Sequence, residues 1–167
     1  MSFSVSAFKS RALTRGGYRP ALFEARVTYA GNDFNFLCQS TNVPAMTVGT
    51  YEVPYFGRKI KVAGDRTYAE WTTTLMEDES FSVRSRLEQW SMDISRGDSN
   101  ERVLFNEQYK KPAEIILFGK AGSPIRTYTL EGCWPSEVGS IELDWNTTDT
   151  IATYTVTWAF DWMNEGS

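Results

Sequence analysis

The 167-residue chain contains no histidine, which removes the commonest general base, proton shuttle and metal ligand at one stroke. Cysteine is scarce as well. Cys38 and Cys133 are too few for a disulfide framework and lack metal-site spacing. They read as buried, reduced thiols, which suits a reducing, cytosolic compartment. No sustained apolar run opens the sequence, so neither a signal peptide nor a membrane-spanning segment is expected. A Gly-rich phosphate loop and a nucleophile elbow are both missing. There is no basic surplus either: the net charge of −4 argues against a nucleic-acid reader. Internal repeats, low-complexity blocks and linkers are absent too.

What remains is ordinary in bulk and rich in rings. Hydrophobic residues make up 41% and charged residues 23%, as in a folded globular protein of one-domain size. Six Trp, eight Tyr and ten Phe must fill a core or interfaces. The charge is unevenly placed. Residues 1–20 hold Lys9, Arg11, Arg15 and Arg19 and no acid, so residues 21–167 sum to −8. Residues 1–20 read as an N-terminal arm. A frayed terminus is the plain alternative, but Phe3, Val5, Phe8 and Leu13 are anchors that suit an arm ordered against a neighbouring subunit. Residues 21–167 read as one domain.

From Ala21 the pattern turns to strands. Ala21–Tyr29 and Asp33–Gln39 flank Ala30-Gly31-Asn32, a hairpin signal, with Phe34, Phe36 and Cys38 on one face. Val48–Phe56 and Arg58–Val62 form an extended pair around Gly57, and Pro54 demotes the first to an edge or bulge. Thr67–Met76 reads as one strand of β-branched and aromatic residues. A helix follows, with Asp78 as cap and Glu77, Asp78 and Glu79 complementing its dipole. Val83, Leu87, Trp90 and Ile94 draw one apolar stripe along it, and Arg96-Gly97 ends it. Asp98–Lys111 is a polar loop tethered by Leu104 and Phe105. Ile115–Phe118 suits a strand buried on both faces. A turn at Lys120–Ser123 leads into Pro124–Glu131, and Asn146–Asp149 turns Ser140–Trp145 into Thr150–Trp162.

Thr150–Trp162 alternates most clearly. Ala152, Tyr154, Val156, Trp158, Phe160 and Trp162 form a face that must be covered. The opposite face carries Thr153, Thr155 and Thr157 and no basic side chain. Composition accommodates both an ordinary solvent face and the inner wall of a ring-shaped pore.

Charged clusters carry no reaction centre. Glu142 and Asp144 share a strand face two positions apart, the usual look of a solvated acidic face. Lys110-Lys111 and Arg58/Lys59/Lys61 lack the interleaved aromatics of a DNA contact and suit an interface. No enzyme and no cofactor are expected.

Two runs carry a specific likeness. The first is Arg58-Lys59-Ile60, then Ala63-Gly64-Asp65-Arg66-Thr67, Trp71-Thr72, Met76 and Asp78-Glu79. The second is Cys133-Trp134-Pro135-Ser136-Glu137-Val138-Gly139 followed by Ile141-Glu142-Leu143-Asp144-Trp145. In this order, together with the Ala21–Ala45 region, the sequence resembles the tail tube proteins of contractile-tailed (myovirus-type) bacteriophages over most of its length.

The resemblance implies a mainly β (α+β) fold: an antiparallel β-barrel or sandwich of about six to eight strands with one packed helix. It implies a homohexameric ring whose inner strands join, and rings stacked head to tail into a virion tail tube. Partners implied are a sheath protein, a tape-measure protein, and baseplate and tail terminator proteins. Genomic DNA passes through without specific binding, and assembly takes place in the host cytoplasm. Within that frame Thr153, Thr155 and Thr157 are expected to line the lumen. Thr47–Gly64 is expected to project and stack rings through Tyr51, Arg58, Lys59 and Lys61, with Glu77, Asp78 and Glu79 as complementary acids. Phe3, Phe8 and Leu13 would anchor the arm. A tube of a contractile injection or secretion system passing protein cargo has the same physics. A carbohydrate-binding β-sandwich with Trp71, Trp134, Trp145 or Trp162 as a stacking platform is a rival of another class.

Overall fold

The computed structural model describes residues 9–10, 16–31, 33–97 and 106–166. Among these, nine strands and three helices follow in the order β1 (Phe23–Val27), α1 (Asp33–Leu37), β2 (Cys38–Thr41), β3 (Met46–Tyr55), β4 (Arg58–Tyr68), β5 (Trp71–Met76), α2 (Ser82–Ile94), α3 (Asn106–Tyr109), β6 (Lys111–Phe118), β7 (Pro124–Val138), β8 (Thr153–Ala159) and β9 (Trp162–Gly166). All strand pairings are antiparallel. The mainly β class with a packed helix holds, with one strand more than the upper expectation; Thr150–Trp162 divides into β8 and β9.

β7 is the spine. Its first part pairs with β6 and β9, and its last part, Trp134–Val138, pairs with β8, which continues through β5 to β2. The strand turns between the two layers at Gly132, whose φ of +68° lies in the left-handed region. A Cβ there would run into the Asp161 carboxylate. The β6–β7 register shifts at the same place, the mark of a bulge that bends one strand between two layers. The partner segment bends in step. β8 stops at Ala159, Asp161 N–H donates to the Glu131 carbonyl at 2.9 Å, and the chain resumes as β9. The alternation expected to run unbroken to Trp162 is therefore interrupted, and Trp162 is half exposed.

Three fully buried indoles form the centre. Trp71 stacks on Trp158 at 5.4 Å, and Trp90 from α2 meets Trp158 at 6.0 Å. Each N–H is satisfied: Trp71 donates to Thr41 Oγ1, Trp158 to Thr73 Oγ1 and Trp90 to the Tyr109 carbonyl. This is what lets so large a ring system be buried without loss. The helix stripe is as expected, with Val83, Leu87 and Trp90 buried and Ile94 packed beside them. Cys38 and Cys133 are buried free thiols, and burial pushes the Cys38 thiol up to about 12.

Other expectations are corrected. Asp33–Leu37 is a short helix rather than a strand, and Phe34 still reaches the core against Trp158. Thr67–Met76 breaks at Ala69-Glu70. Asp78 does not cap α2, which starts at Ser82 after Phe81 with a φ of 51°. Instead the Ser80 hydroxyl donates to Asp78, and Ser82 N–H donates to the Ser80 oxygen at 3.3 Å. Ser140–Trp145 is irregular, so Glu142 and Asp144 share no strand face. Ile115 and Ile116 are both buried, as a strand covered on both faces requires.

The layout gives the molecule two poles. Trp71 pairs with Trp158 at one end of β5, and Met76 with Thr153 at the other. The β3–β4 hairpin leaves at the Trp71 end, where Ala69 N–H donates to the Ala45 carbonyl at 2.9 Å. Residues 139–152 close the Met76 end, tied by Gly139 N–H to the Thr155 carbonyl and Glu77 N–H to the Ala152 carbonyl.

Candidate functional site

Two surfaces stand out, and neither is a catalytic cleft. The first is the β3–β4 hairpin. Its two strands pair with each other and, among the described residues, with no other strand. Phe56 and Gly57, with φ of 43° and 78°, make the tight two-residue turn that right-twisted strands favour. All ten residues of β3 are exposed. Ten residues at about 3.3 Å each give a projection of about 30 Å.

Register sorts its side chains. Tyr51↔Val62, Val53↔Ile60 and Tyr55↔Arg58 pair on one face, and Thr50↔Ala63, Glu52↔Lys61 and Pro54↔Lys59 on the other. One face is thus apolar and the other charged. Tyr51, Tyr55, Ile60 and the tip residue Phe56 are each more than half exposed. Tyr51 and Arg58 therefore sit on one face, and Lys59 and Lys61 on the other. Lys59 pairs with Glu52 at 2.8 Å, so it has an acid within the hairpin itself.

The second surface is the outer face of the β8–β5 layer. Tyr154, Val156 and Trp158 point inward and are buried, while Thr153 and Thr155 are exposed and Thr157 is partly so. Opposite them, Thr72 pairs with Thr157 and Thr74 with Thr155, and Ser40 pairs with Thr74. The result is a hydroxyl face broader than the three threonines singled out from sequence. β2, β5, β8 and the Trp134–Val138 part of β7 contain no lysine or arginine, and Glu137 is their one acid. Thr72 and Thr74 alternate with Trp71, Thr73 and Leu75, the same period-two signal as in β8, and could have been found by it.

The acids expected as stacking partners divide. Asp78 and Glu79 are exposed. Both Glu77 carboxylate oxygens are buried without a hydrogen-bond partner, as is the Tyr154 hydroxyl. Burial raises the Glu77 carboxyl above its ordinary range, opposed by Arg84, whose guanidinium lies 4.9 Å from the Tyr154 ring centre. The same burial raises the Tyr154 phenol. Arg84 also pairs with Glu88 at 2.8 Å and donates to the Gly139 carbonyl. Glu77 thus presents no charge to solvent. Phe3, Phe8 and Leu13 lie outside the described residues.

A sugar platform has no support. Trp71 is in the core, and Trp134 packs edge-on against Tyr109. Trp145 and Trp162 are exposed but lie beyond opposite ends of β8.

Comparison with known proteins agrees with this geometry. The family model described as phage tail tube protein matches residues 3–164. The tail tube protein gp19 of Enterobacteria phage T4 is 36% identical over 156 residues, covering 92% of this chain and 95% of the relative. The tail tube protein of Serratia phage KSP90 is 26% identical over 162 residues, covering 91% of each. Among solved structures, the sheath-tube complex of an extracellular contractile injection system, PVC, superposes with a TM-score of 0.63 at 20% identity, over 99% of both chains. The sheath/tube terminator of the same system gives 0.68 at 19% identity, over 90% of this chain and 97% of the other. The chain belongs to the phage tail tube protein family.

Proposed function

We propose that this protein forms rings of six subunits that stack head to tail into the inner tube of a contractile phage tail. The tube acts as a conduit for genomic DNA and performs no chemistry of its own. The observation that carries this reading is the β3–β4 hairpin, a two-stranded sheet with its apolar face open and, among the described residues, no partner strand. An exposed strand pair of this kind is an aggregation hazard unless another subunit covers it. A contact from one end of a subunit to the other end of the next does not close on itself and generates a filament.

In this reading the hydroxyl face of Thr153, Thr155 and Thr157 lines the lumen. A basic wall would hold DNA through counterion release, whereas a neutral one lets it slide. Tape-measure protein occupies the channel during assembly, sheath protein surrounds it, and baseplate and terminator proteins begin and end it. The protein is assembled in host cytoplasm and resides in the virion tail. A tube of a contractile injection system passing protein cargo is the second reading, supported by the fold likeness to such tubes. The phage relative at 36% identity weighs for DNA. Negative-stain imaging of the purified protein, alone and after concentration or seeding, tests the assembly. Hollow tubes with six-fold end views are expected. Solid fibres, or a discrete dimer under every condition, would end this reading.

A further inference from the structure

The pole opposite the hairpin has features that the proposed stacking leaves unexplained. Residues 139–152 form an irregular loop in which Trp145 is fully exposed, Leu143 is 89% exposed and Ile151 is 66% exposed. Three large apolar side chains this bare on one loop are unusual for a surface that faces only water. The loop is held to present them. Asp144 Oδ1 accepts from both the backbone N–H and the side-chain amide of Asn146, and Thr147 N–H donates to the Asp144 carbonyl at 3.1 Å. Behind the loop lies a recess of about 850 Å³ framed by Glu137, Glu142, Leu143, Asp144, Trp145 and Ile151.

Charge differs between the two poles. Residues 137–152 at the loop pole carry Glu137, Glu142, Asp144 and Asp149 and no lysine or arginine, and the Arg84 that reaches Gly139 there is paired with Glu88. Exposed Asp78 and Glu79 follow β5 at this same end. The hairpin carries Arg58, Lys59, Lys61 and Arg66 against Glu52 and Asp65. One end therefore offers aromatic and aliphatic side chains beside bases, and the opposite end offers aromatic and aliphatic side chains beside acids. The register places them at opposite ends of β5 and β8.

We propose that the outer rim of the 139–152 loop, on the side away from the recess where Thr153 and Thr155 lie, is the seat for the β3–β4 hairpin of the next copy. Trp145, Leu143 and Ile151 meet the apolar hairpin face, Glu142 meets Arg58 on that same face, and Asp149 reaches past the strand edge to Lys61 on the other. The occupant is a second copy of this chain, because the two surfaces complement each other in charge and apolar character and occur once per subunit at opposite poles. That arrangement is self-propagating and needs no second kind of protein. Asp78 and Glu79 lie on the rim of the same pole and steer the approach, while Glu77, with its buried carboxylate, takes no direct part. The inference rests on hairpin-mediated stacking and adds the surface that receives it.

The test is a charge exchange in seeded tube growth. Arg58→Glu with Lys61→Glu reverses the hairpin and leaves Lys59 with its partner Glu52; the carboxylate that Lys61→Glu sets opposite Glu52 is controlled by the Lys61→Gln variant. Glu142→Lys with Asp149→Lys reverses the loop, leaving Asp144 to hold the turn. Each pair is expected to cut tube mass at least tenfold, and the chain carrying all four is expected to regain most of it. Trp145→Ala is expected to cut growth to a similar degree. All five positions are exposed, so unchanged circular dichroism and melting are expected for every variant, and a variant that melts early is replaced by its alanine or glutamine counterpart. If the hairpin reversal grows tubes normally, stacking through the hairpin is itself wrong. If it blocks growth while the loop reversal and Trp145→Ala do not, stacking stands and the loop faces another partner. Failure of the fourfold chain to recover also overturns the pairing.

Discussion

β4 and β5 are consecutive strands separated by Ala69-Glu70, and both alternate apolar with polar residues, yet they end in opposite environments. In β5, Trp71, Thr73 and Leu75 are buried, and their neighbours face out. In β4, Ile60 remains more than half exposed, Val62 is only partly covered, and none of the eleven residues is fully buried, though Tyr68 at its end packs against the core. Alternation makes a two-faced ribbon in each case. What differs is the partner: β5 lies between β8 and β2 with α2 and the indoles against it, whereas among the described residues β4 pairs with β3 alone. An apolar face with no cover inside the subunit is a surface for another subunit, so one local pattern yields core in one strand and interface in the next.

The sharpest way to break the comparison is to truncate one residue from each region. Trp158→Ala removes the centre of the indole cluster and strands the Thr73 hydroxyl, and should cost about 3–5 kcal/mol of subunit stability in denaturant unfolding. A smaller loss would mean that the buried layer carries less of the fold than its packing implies. The hairpin should behave in reverse. Alanine at Arg58, Lys59 and Lys61 together should change subunit stability by no more than about 0.5 kcal/mol, as exposed substitutions do. Tube growth should nevertheless stop. Tubes of normal length from that variant would remove the hairpin from the stacking contact.

The hydroxyl face permits a third, more selective break. Thr155→Lys places one new charge per subunit on an exposed site. Assembly should proceed, while DNA release slows and recovers partly at high salt through screening. Infectivity equal to wild type would place Thr155 elsewhere than the channel wall.

The smallest effect concerns Glu77. Burial raises its carboxyl in the folded protein, so the folded state holds that proton more tightly than the unfolded chain. Its contribution is full below the unfolded-chain value and is lost as pH rises through the folded one. Glu77→Gln should therefore raise the melting temperature at pH 7 and leave it little changed near pH 4. An equal shift at both pH values would show that packing, and not charge burial, governs the site.

Much of this was legible in order. The alternation in β5 and β8 marks the inward faces, the stripe Val83/Leu87/Trp90 marks the helix face, and Gly57 marks the hairpin turn, because these depend on residues within one or two turns of chain. Asp33–Leu37 was not legible: two phenylalanines at alternate positions suit a strand, but tertiary contact of Phe34 with Trp158 seats a helical turn there. Nor was the break after Ala159, since the local pattern continues through it.

The sequence by itself determined which residues are apolar, their period and the uneven spread of charge, and hence the β class, the helix and the absence of histidine chemistry. Tertiary structure alone decided that Gly132 and Asp161 bend two paired strands together between layers. It also decided that the Glu77 carboxylate is buried while Asp78 and Glu79 are exposed, and that the basic hairpin and the acidic Trp145 loop stand at opposite poles. The reason is that each of these depends on strand register between segments far apart in the chain, and register is set by what the opposing strand presents, which no local pattern contains.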